Sequence, residues 1–367
     1  MENMKLAIIT KDREYGRALG FALINAYKNF TVTLYQSEPI HNQLEAFDLV
    51  LTDIPIEKRG NVIFLVEKPS MVERNDEARD FKLYKYGNVR HLAGELLFIY
   101  SQLTGRKALP IKKQDMKLIA FCSIEGGTGC TAAAMALARE LSRFHDQRVM
   151  YVSLEELEST LDYIEGFPEG KSISEYLYHL FNEDDTARLP FIESFLVFDD
   201  HGVEAFLPSP GRNVLKSLSP EETQRFISAV MDTGRYDALL LDLGSSLDKN
   251  ALSCYEMANH ICMVANQEAS MSKEGRFIEY LTFLKGEKLT ERIVKIVNRF
   301  QKMDQEVEAK EKIGAREHEE LMRVICRLPE DPASFFLQGG LKTIRSDGAY
   351  GKRIKQLADV LMGSAVI

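Results

Sequence analysis

Apolar and polar positions along this chain recur in two forms, short apolar runs and longer amphipathic stretches. Lys5-Leu-Ala-Ile-Ile9 reads as a buried strand, and Tyr15 to Tyr27 space their apolar side chains for a helix. Strands are expected at 31–35, 47–52, 62–66 and 82–85, and a helix over 89–104. Residues 106–116 break the pattern with Pro110 and four basic residues in no period, as an exposed linker does. The alternation then resumes: an apolar run opens at Leu118, a glycine-rich turn follows, and an alanine-rich amphipathic helix starts near Cys130. Further buried strands are expected at 148–155, 236–242, 260–265 and 292–299. Residues 156–215 read as insertion-rich, with helices near 172–182 and a short strand and turn at 203–208. The charged stretch 301–323 reads as a solvated helix or loop. A closing helix at 350–362 puts Ile354, Leu357, Val360 and Leu361 on one face, as core packing requires. Strands alternating with helices predict an α/β protein of mostly parallel sheets covered by helices, in two domains, 1–105 and 117–367.

The glycine-rich turn is the first candidate for chemistry. Gly126, Gly127 and Gly129 can take backbone conformations closed to other residues, which lets the amide N–H groups from Gly126 through Thr128 to Cys130 converge on an anion. A helix starting at Cys130 adds the positive end of its dipole. Thr131 stands where a phosphate-loop hydroxyl ligates magnesium. Against the pattern G-x-x-x-x-G-K-[ST], Ile124 takes the first glycine position and Cys130 takes the lysine. A strand-to-helix turn with no ligand is the plainer alternative. Tyr236-Asp-Ala-Leu-Leu-Leu-Asp242 is an apolar strand closed by a carboxylate, the form of a Walker B strand, and places Asp242 to hold a magnesium water shell beside Thr131. Glu155 ends another apolar strand; it either reaches the same metal or only opens the acidic run Glu155-Glu-Leu-Glu158.

Glu125-Gly-Gly-Thr-Gly-Cys-Thr131 resembles the deviant phosphate loop of the MinD/ParA superfamily of P-loop ATPases, with both lysines of that loop replaced, by Glu125 and Cys130. The resemblance implies ATP and Mg2+ as cofactors, with Thr131, Glu155 and Asp242 at the metal and Glu155 and Asp242 at the hydrolytic step. It also implies that Asn298, in Val-Asn298-Arg299, contacts the adenine, and that Pro329 and Asp331 of Arg327-Leu-Pro-Glu-Asp331 lie near the base. In the N-terminal part, Phe47-Asp-Leu-Val-Leu-Thr-Asp53 resembles the third strand of a receiver domain, with Lys85 near the receiver lysine and Asp12 as the one clear acidic partner. Asp53 is then either a phosphorylation site or an ordinary strand-end carboxylate in a receiver-like domain used for contacts. The two parts together resemble the TadZ/CpaE group of Tad-type (Flp) pilus assembly factors. That implies an ATP-binding localisation or assembly factor with weak or absent hydrolysis, a homodimer set by nucleotide occupancy, and pilus secretion or assembly proteins at the membrane or cell pole as partners. An active partitioning ATPase and a response regulator acting through Asp53 are the alternatives.

Bulk properties narrow this picture. A formal net charge of −9 and a pI near 5.5 argue against broad attraction to nucleic acid or anionic membrane. Five cysteines with no C-x-x-C pair indicate neither a disulfide framework nor a zinc site. No apolar run approaches the roughly 18 residues of a membrane helix, so a cytoplasmic protein without membrane insertion is expected. The resemblance adds possible recruitment to the pole or the inner membrane face. Glu125 puts a negative charge where the family's signature lysine meets the partner's phosphates, which disfavours the usual dimer unless a base such as Lys112, Lys113 or Arg212 compensates. Cys130 is open to two readings, a small loop residue or a reactive thiol at a helix N-terminus.

Overall fold

The computed structural model describes residues 4–26, 30–39, 41–57, 59–67, 74–75, 80–86, 89–104, 116–145, 147–166, 170–182, 192–267, 271–301 and 322–363. The expected linker falls outside these residues except for Met116, as does nearly all of the charged stretch 301–323. The chain forms two units, Met1–Leu109 with Glu175–Leu196, and Pro110–Ser174 with Val197–Ile367.

The smaller unit is built on β1 (Met4–Ile9), α1 (Arg13–Ala26), β2 (Phe30–Tyr35), β3 (Leu49–Thr52), β4 (Val62–Val66), β5 (Arg74–Asn75), β6 (Asp80–Tyr84) and α2 (Val89–Thr104). Its sheet order is β2-β1-β3-β4-β6-β5, with five parallel strands and β5 antiparallel at the edge. This is the doubly wound order of flavodoxin-type folds. Strand β3 is buried throughout and reads as a continuous apolar run, as a parallel strand covered on both faces should.

Helix α2 contributes Leu92, Leu96, Leu97 and Ile99 to this core. Gly94 on the same helix makes room for the 3-10 turn Ile192–Phe195: Ser194 Oγ donates to the Gly94 carbonyl at 2.7 Å, and Phe98 meets Phe195 edge-on. A Cβ at Gly94 would stand 2.5 Å from the Glu193 carbonyl oxygen, backbone that has little freedom to withdraw.

The larger unit runs β7 (Lys117–Cys122), α3 (Cys130–Phe144), β8 (Val149–Ser153), α4 (Thr160–Tyr163), α5 (Ile173–Phe181, most of which clusters with the smaller unit), β9 (Leu196–Phe198), β10 (Glu204–Phe206), α6 (Pro220–Asp232), β11 (Ala238–Asp242) and α7 (Lys249–Met257). It continues through β12 (His260–Asn266), α8 (Met271–Lys285), α9 (Glu287–Thr290), β13 (Ile293–Phe300), β14 (Arg323–Pro329), β15 (Phe335–Gln338), β16 (Leu341–Ile344) and α10 (Ala349–Leu361). The main sheet has the order β14-β13-β12-β7-β11-β8-β10-β9, and β15 and β16 form a separate hairpin. The mostly parallel α/β class holds, while α6, α7, α8, β14 and the β15–β16 hairpin were not expected from the apolar pattern.

The central strands β8 and β11 are buried at every position, and α3 lies on them through Ala133, Ala134, Leu137, Ala138 and Leu141. Alanines at this face let the helix sit close to the sheet. The closing helix α10 buries Ile354, Leu357 and Leu361 in the same core, the role its apolar face predicts. No helix among the described residues is long and apolar enough to cross a membrane.

Gly94→Ala tests the close approach at α2. In an ordinary helix interior this change stabilises by about 1 kcal/mol; here the Glu193 carbonyl opposes it, and a net loss of about 1–3 kcal/mol in urea unfolding is expected.

Candidate functional site

Register decides where the candidate residues meet. Strand β11 lies between β7 and β8, with Asp242 opposite Phe121 on one side and Ser153 on the other. The carboxylate of Asp242 therefore stands between the turn that follows β7 and the acidic residue that follows β8.

The turn itself is held by its neighbours. Ser123 N donates to the Gly244 carbonyl at 2.8 Å, and Ser123 Oγ donates to the Glu125 carbonyl at 2.9 Å. Gly127 and Gly129 take φ of 74° and 82°, the left-handed region that favours glycine. Nothing lies within 4 Å of where a Cβ would stand on Gly126 or Gly127, so the outer side of the loop is open. At Gly129 a Cβ would come within 2.4 Å of Asn298 Nδ2, which donates to the Thr128 carbonyl at 2.7 Å. Asn298 thus clamps the turn from β13, a role distinct from the adenine contact the resemblance implies. Gly129 caps α3 without a side-chain bond, which leaves first-turn amides of the helix for another acceptor. The Thr128 hydroxyl is buried with no hydrogen-bond partner among the described residues. Open left-handed glycines, an uncapped helix start and an orphaned hydroxyl are what a phosphate cradle provides, so the loop fits the phosphates of a nucleotide.

The metal candidates converge beneath it. Thr131 Oγ1 donates to Glu155 Oε1 at 3.2 Å, while Ser159 Oγ donates to Glu155 Oε2 at 2.9 Å. Asp242 is fully buried; Tyr151 OH donates to its Oδ2 at 2.9 Å, and Gly244 N donates to its Oδ1 at 3.1 Å. Burial, and then the nearby Glu155 carboxylate, push the Asp242 pKa up to about 6 against the donors from Thr131, Gly244 and Tyr151. Two carboxylates that repel across a threonine hydroxyl form a donor set suited to a divalent cation, which would relieve that repulsion.

The replaced lysines have different fates. Cys130 is buried and points inward, with Sγ 3.7 Å from Asp242 Oδ1. Burial and the Asp242 charge hold its thiol well above the ordinary cysteine range, so the reading of Cys130 as a reactive low-pKa thiol is not met. Glu125 is paired with Lys273 on α8 at 2.8 Å. Of the bases considered from the sequence, Arg212 instead pairs with Glu156, and Lys112 and Lys113 lie outside the described residues.

Three residues of this region were not singled out from the sequence. Tyr151 is an otherwise ordinary position of an apolar strand, and only the β8–β11 register brings its hydroxyl to Asp242. Asn213 donates from Nδ2 to the Ser153 and Glu155 carbonyls at 2.9 and 3.0 Å and so fixes the backbone that carries Glu155. Lys273 sits 148 positions beyond Glu125, with no local signal.

The remaining candidates lie on β13, at the end of β14 and just after it. Arg299, on the strand that carries Asn298, is the one non-glycine residue with a left-handed φ, 52°, among the described residues. Pro329 ends β14 opposite Phe300. Asp331 Oδ2 accepts Ser334 Oγ at 2.6 Å and lies 3.5 Å from Tyr350 N, tying the chain to the start of α10. Its pKa is lowered, chiefly by the Ser334 bond.

In the smaller unit Asp53 Oδ2 accepts Thr10 Oγ1 at 2.8 Å and pairs with Lys85 Nζ at 2.7 Å, while its Oδ1 is buried with no hydrogen-bond partner among the described residues. Asp12 instead accepts Tyr15 N at 3.0 Å at the start of α1.

No protein-family model and no curated protein matches this chain. Solved structures do resemble it. A ParA family ATPase from Chlorobium tepidum TLS is 18% identical with a TM-score of 0.52, the match covering 66% of this chain and 97% of that one. A putative plasmid partition protein from Borrelia burgdorferi B31, bound to AMPPNP, gives 16% identity and a TM-score of 0.50 over 69% and 100%. The MinD cell division protein of Aquifex aeolicus gives 18% and 0.50 over 68% and 98%. The larger unit has the MinD/ParA P-loop ATPase fold. The glycine turn, Glu155 and Asp242 thus stand on the scaffold that the sequence resemblance implied, with the five-stranded parallel α/β unit as an addition to it.

The raised Asp242 pKa has a consequence for stability. A carboxyl at about 6 in the folded chain and about 3.9 unfolded keeps its proton in the fold over that interval, so stability falls as pH rises from about 4 to 6. The loss is on the order of 3 kcal/mol without metal. Asp242→Asn removes this penalty: urea unfolding at pH 8 in EDTA is expected to show a variant more stable than wild type by about 1–3 kcal/mol, with the difference gone near pH 4.

Proposed function

We propose that this chain binds ATP with Mg2+ on the turn from Gly126 to Thr131, hydrolyses it slowly or not at all, and uses occupancy to set dimerisation or partner docking. The observation that carries the reading is a phosphate cradle and an acidic metal set kept intact while the lysine position is turned into the core as Cys130. Thr131, Glu155 and Asp242 would hold the metal, and backbone amides from Gly126 to Cys130 would hold the phosphates. The magnesium supplies charge neutralisation to the phosphates and the two carboxylates. Loss of a lysine at Cys130 removes a charge-assisted hydrogen bond of about 1.5–3 kcal/mol and with it part of the stabilisation of a transferring phosphoryl group. Asn298 positions the turn through the Thr128 carbonyl.

Lys273 supports a dimer in which the Glu125 charge is offset within its own chain. The finer assignment, a localisation or assembly factor of the TadZ/CpaE kind in a Tad-type pilus system, rests on the sequence resemblance. It is supported by the pairing of a lysine-free phosphate loop with a receiver-like unit in which Asp12 is spent on a helix start and Asp53 on Thr10 and Lys85. That arrangement favours a contact module over a phosphorylated regulator. A cytoplasmic place near the pole or the inner membrane face follows from the same assignment.

Calorimetry of ATP with and without magnesium, alongside Gly127→Asp, tests the proposal. Expected are magnesium-dependent binding that the variant abolishes, and no phosphate release over hours. Absence of binding by the wild-type chain, or sustained turnover that Asp242→Asn stops, would contradict it.

A further inference from the structure

Strands β7 and β12 are parallel neighbours, so the glycine turn after β7 and the start of α8 after β12 lie at the same end of the sheet. Lys273, in the first turn of α8, spans the gap between them. Its Nζ is 2.8 Å from Oε1 of Glu125, the residue that directly precedes Gly126. Gly126 and Gly127 follow Glu125 at steps of about 3.8 Å along the chain. Both are open where a Cβ would stand. The flexible four-carbon stem of a lysine covers a shift of that size by changing rotamer.

Other bases around the site are already committed. Lys295 on β13 donates to Glu274 at 2.6 Å, with both side chains largely buried. Lys216 is buried and donates to Ser246 at 2.9 Å and to Asp248. Arg212 is tied to Glu156, in the segment that follows β8. Of these four bases Lys273 is the one that touches the turn, and its side chain is 59% exposed. An exposed pair of this kind is weakly held. Glu125 is the one acceptor of the Lys273 ammonium among the described residues, and an ammonium carries three N–H donors.

The turn has need of such a cation. Cys130 is neutral and faces inward, and Glu125 sets a negative charge beside any phosphate on the loop. The backbone amides offer only partial charges to a polyphosphate.

We propose that Lys273 is the phosphate-binding cation of this site: with ATP on the turn, its ammonium bridges Glu125 and the phosphates held by the same chain. The proposal rests on the nucleotide reading of the turn and adds to it the residue that supplies the charge. Glu125 then serves to hold the lysine at the loop, and the lysine offsets both anions at once.

ATP with magnesium, titrated by calorimetry into wild type, Lys273→Gln, Glu125→Gln and the double variant, tests this. An exposed ion pair contributes little to folding, so the variants retain the fold. Lys273→Gln is expected to weaken binding on the order of tenfold to a hundredfold, in the wild-type background and in Glu125→Gln alike. Lys273→Arg is expected to keep most of the affinity. A lysine that only screened Glu125 would cost affinity in the wild-type background and none in Glu125→Gln. That result, or binding unchanged by Lys273→Gln in wild type, would overturn the proposal and leave the nucleotide reading standing. Failure of all four chains to bind would overturn both.

Discussion

A carboxylate buried at the end of a central strand is the constraint on which the site depends. Asp242 is fully enclosed, and its solvation comes from Tyr151, Gly244 and the Thr131 region in place of water. Glu155 stands close enough to raise its pKa. A fold that needed only stability would put an apolar residue there, since a buried charge without a counter-charge is costly. Under the proposed reading a divalent cation would offset the pair, and the glycine turn above it would take the anion that such a cation accompanies.

Cys130 stands where a phosphate loop carries its lysine. In a site with a phosphate-loop lysine, that ammonium would compete for the same phosphates and the same carboxylate field. Here a neutral thiol fills the position and rests against Asp242, so the turn is packed from below by sulfur instead of reaching outward with charge. Asn298 secures the loop from β13, and Lys273 pairs with Glu125 at the surface. Binding without fast turnover is the chemistry that this exchange favours.

Much of this was legible before any fold was known. Apolar runs marked the strands because parallel strands buried on both faces are nearly continuous in hydrophobicity, and the spacing from Gly126 to Thr131 marked the turn because its geometry is local. Asp242 was legible for the same reason, as a charge closing an apolar strand. Tyr151 and Lys273 were not, because their roles come from strand register and from a helix far along the chain. Cys130 was ambiguous, since a helix N-terminus lowers a thiol pKa and burial raises it, and only the packing decides between them. Asn298 was picked out by resemblance as an adenine contact; the structure shows its amide donating to the Thr128 carbonyl of the loop. The membership of Glu175–Leu196 in the smaller unit also had no local sign; it depends on Gly94 admitting the turn that carries Ser194.

The central claim is that Asp242 and Glu155 await a divalent cation that arrives with a nucleotide. Thermal unfolding at pH 8 measures this directly, with magnesium and a non-hydrolysable ATP analogue added singly and together. The account predicts a rise in Tm with both that exceeds the sum of the separate rises, and no such excess in Asp242→Asn. Equal, additive shifts in wild type and variant would contradict it and leave the buried Asp242 carboxylate without a function.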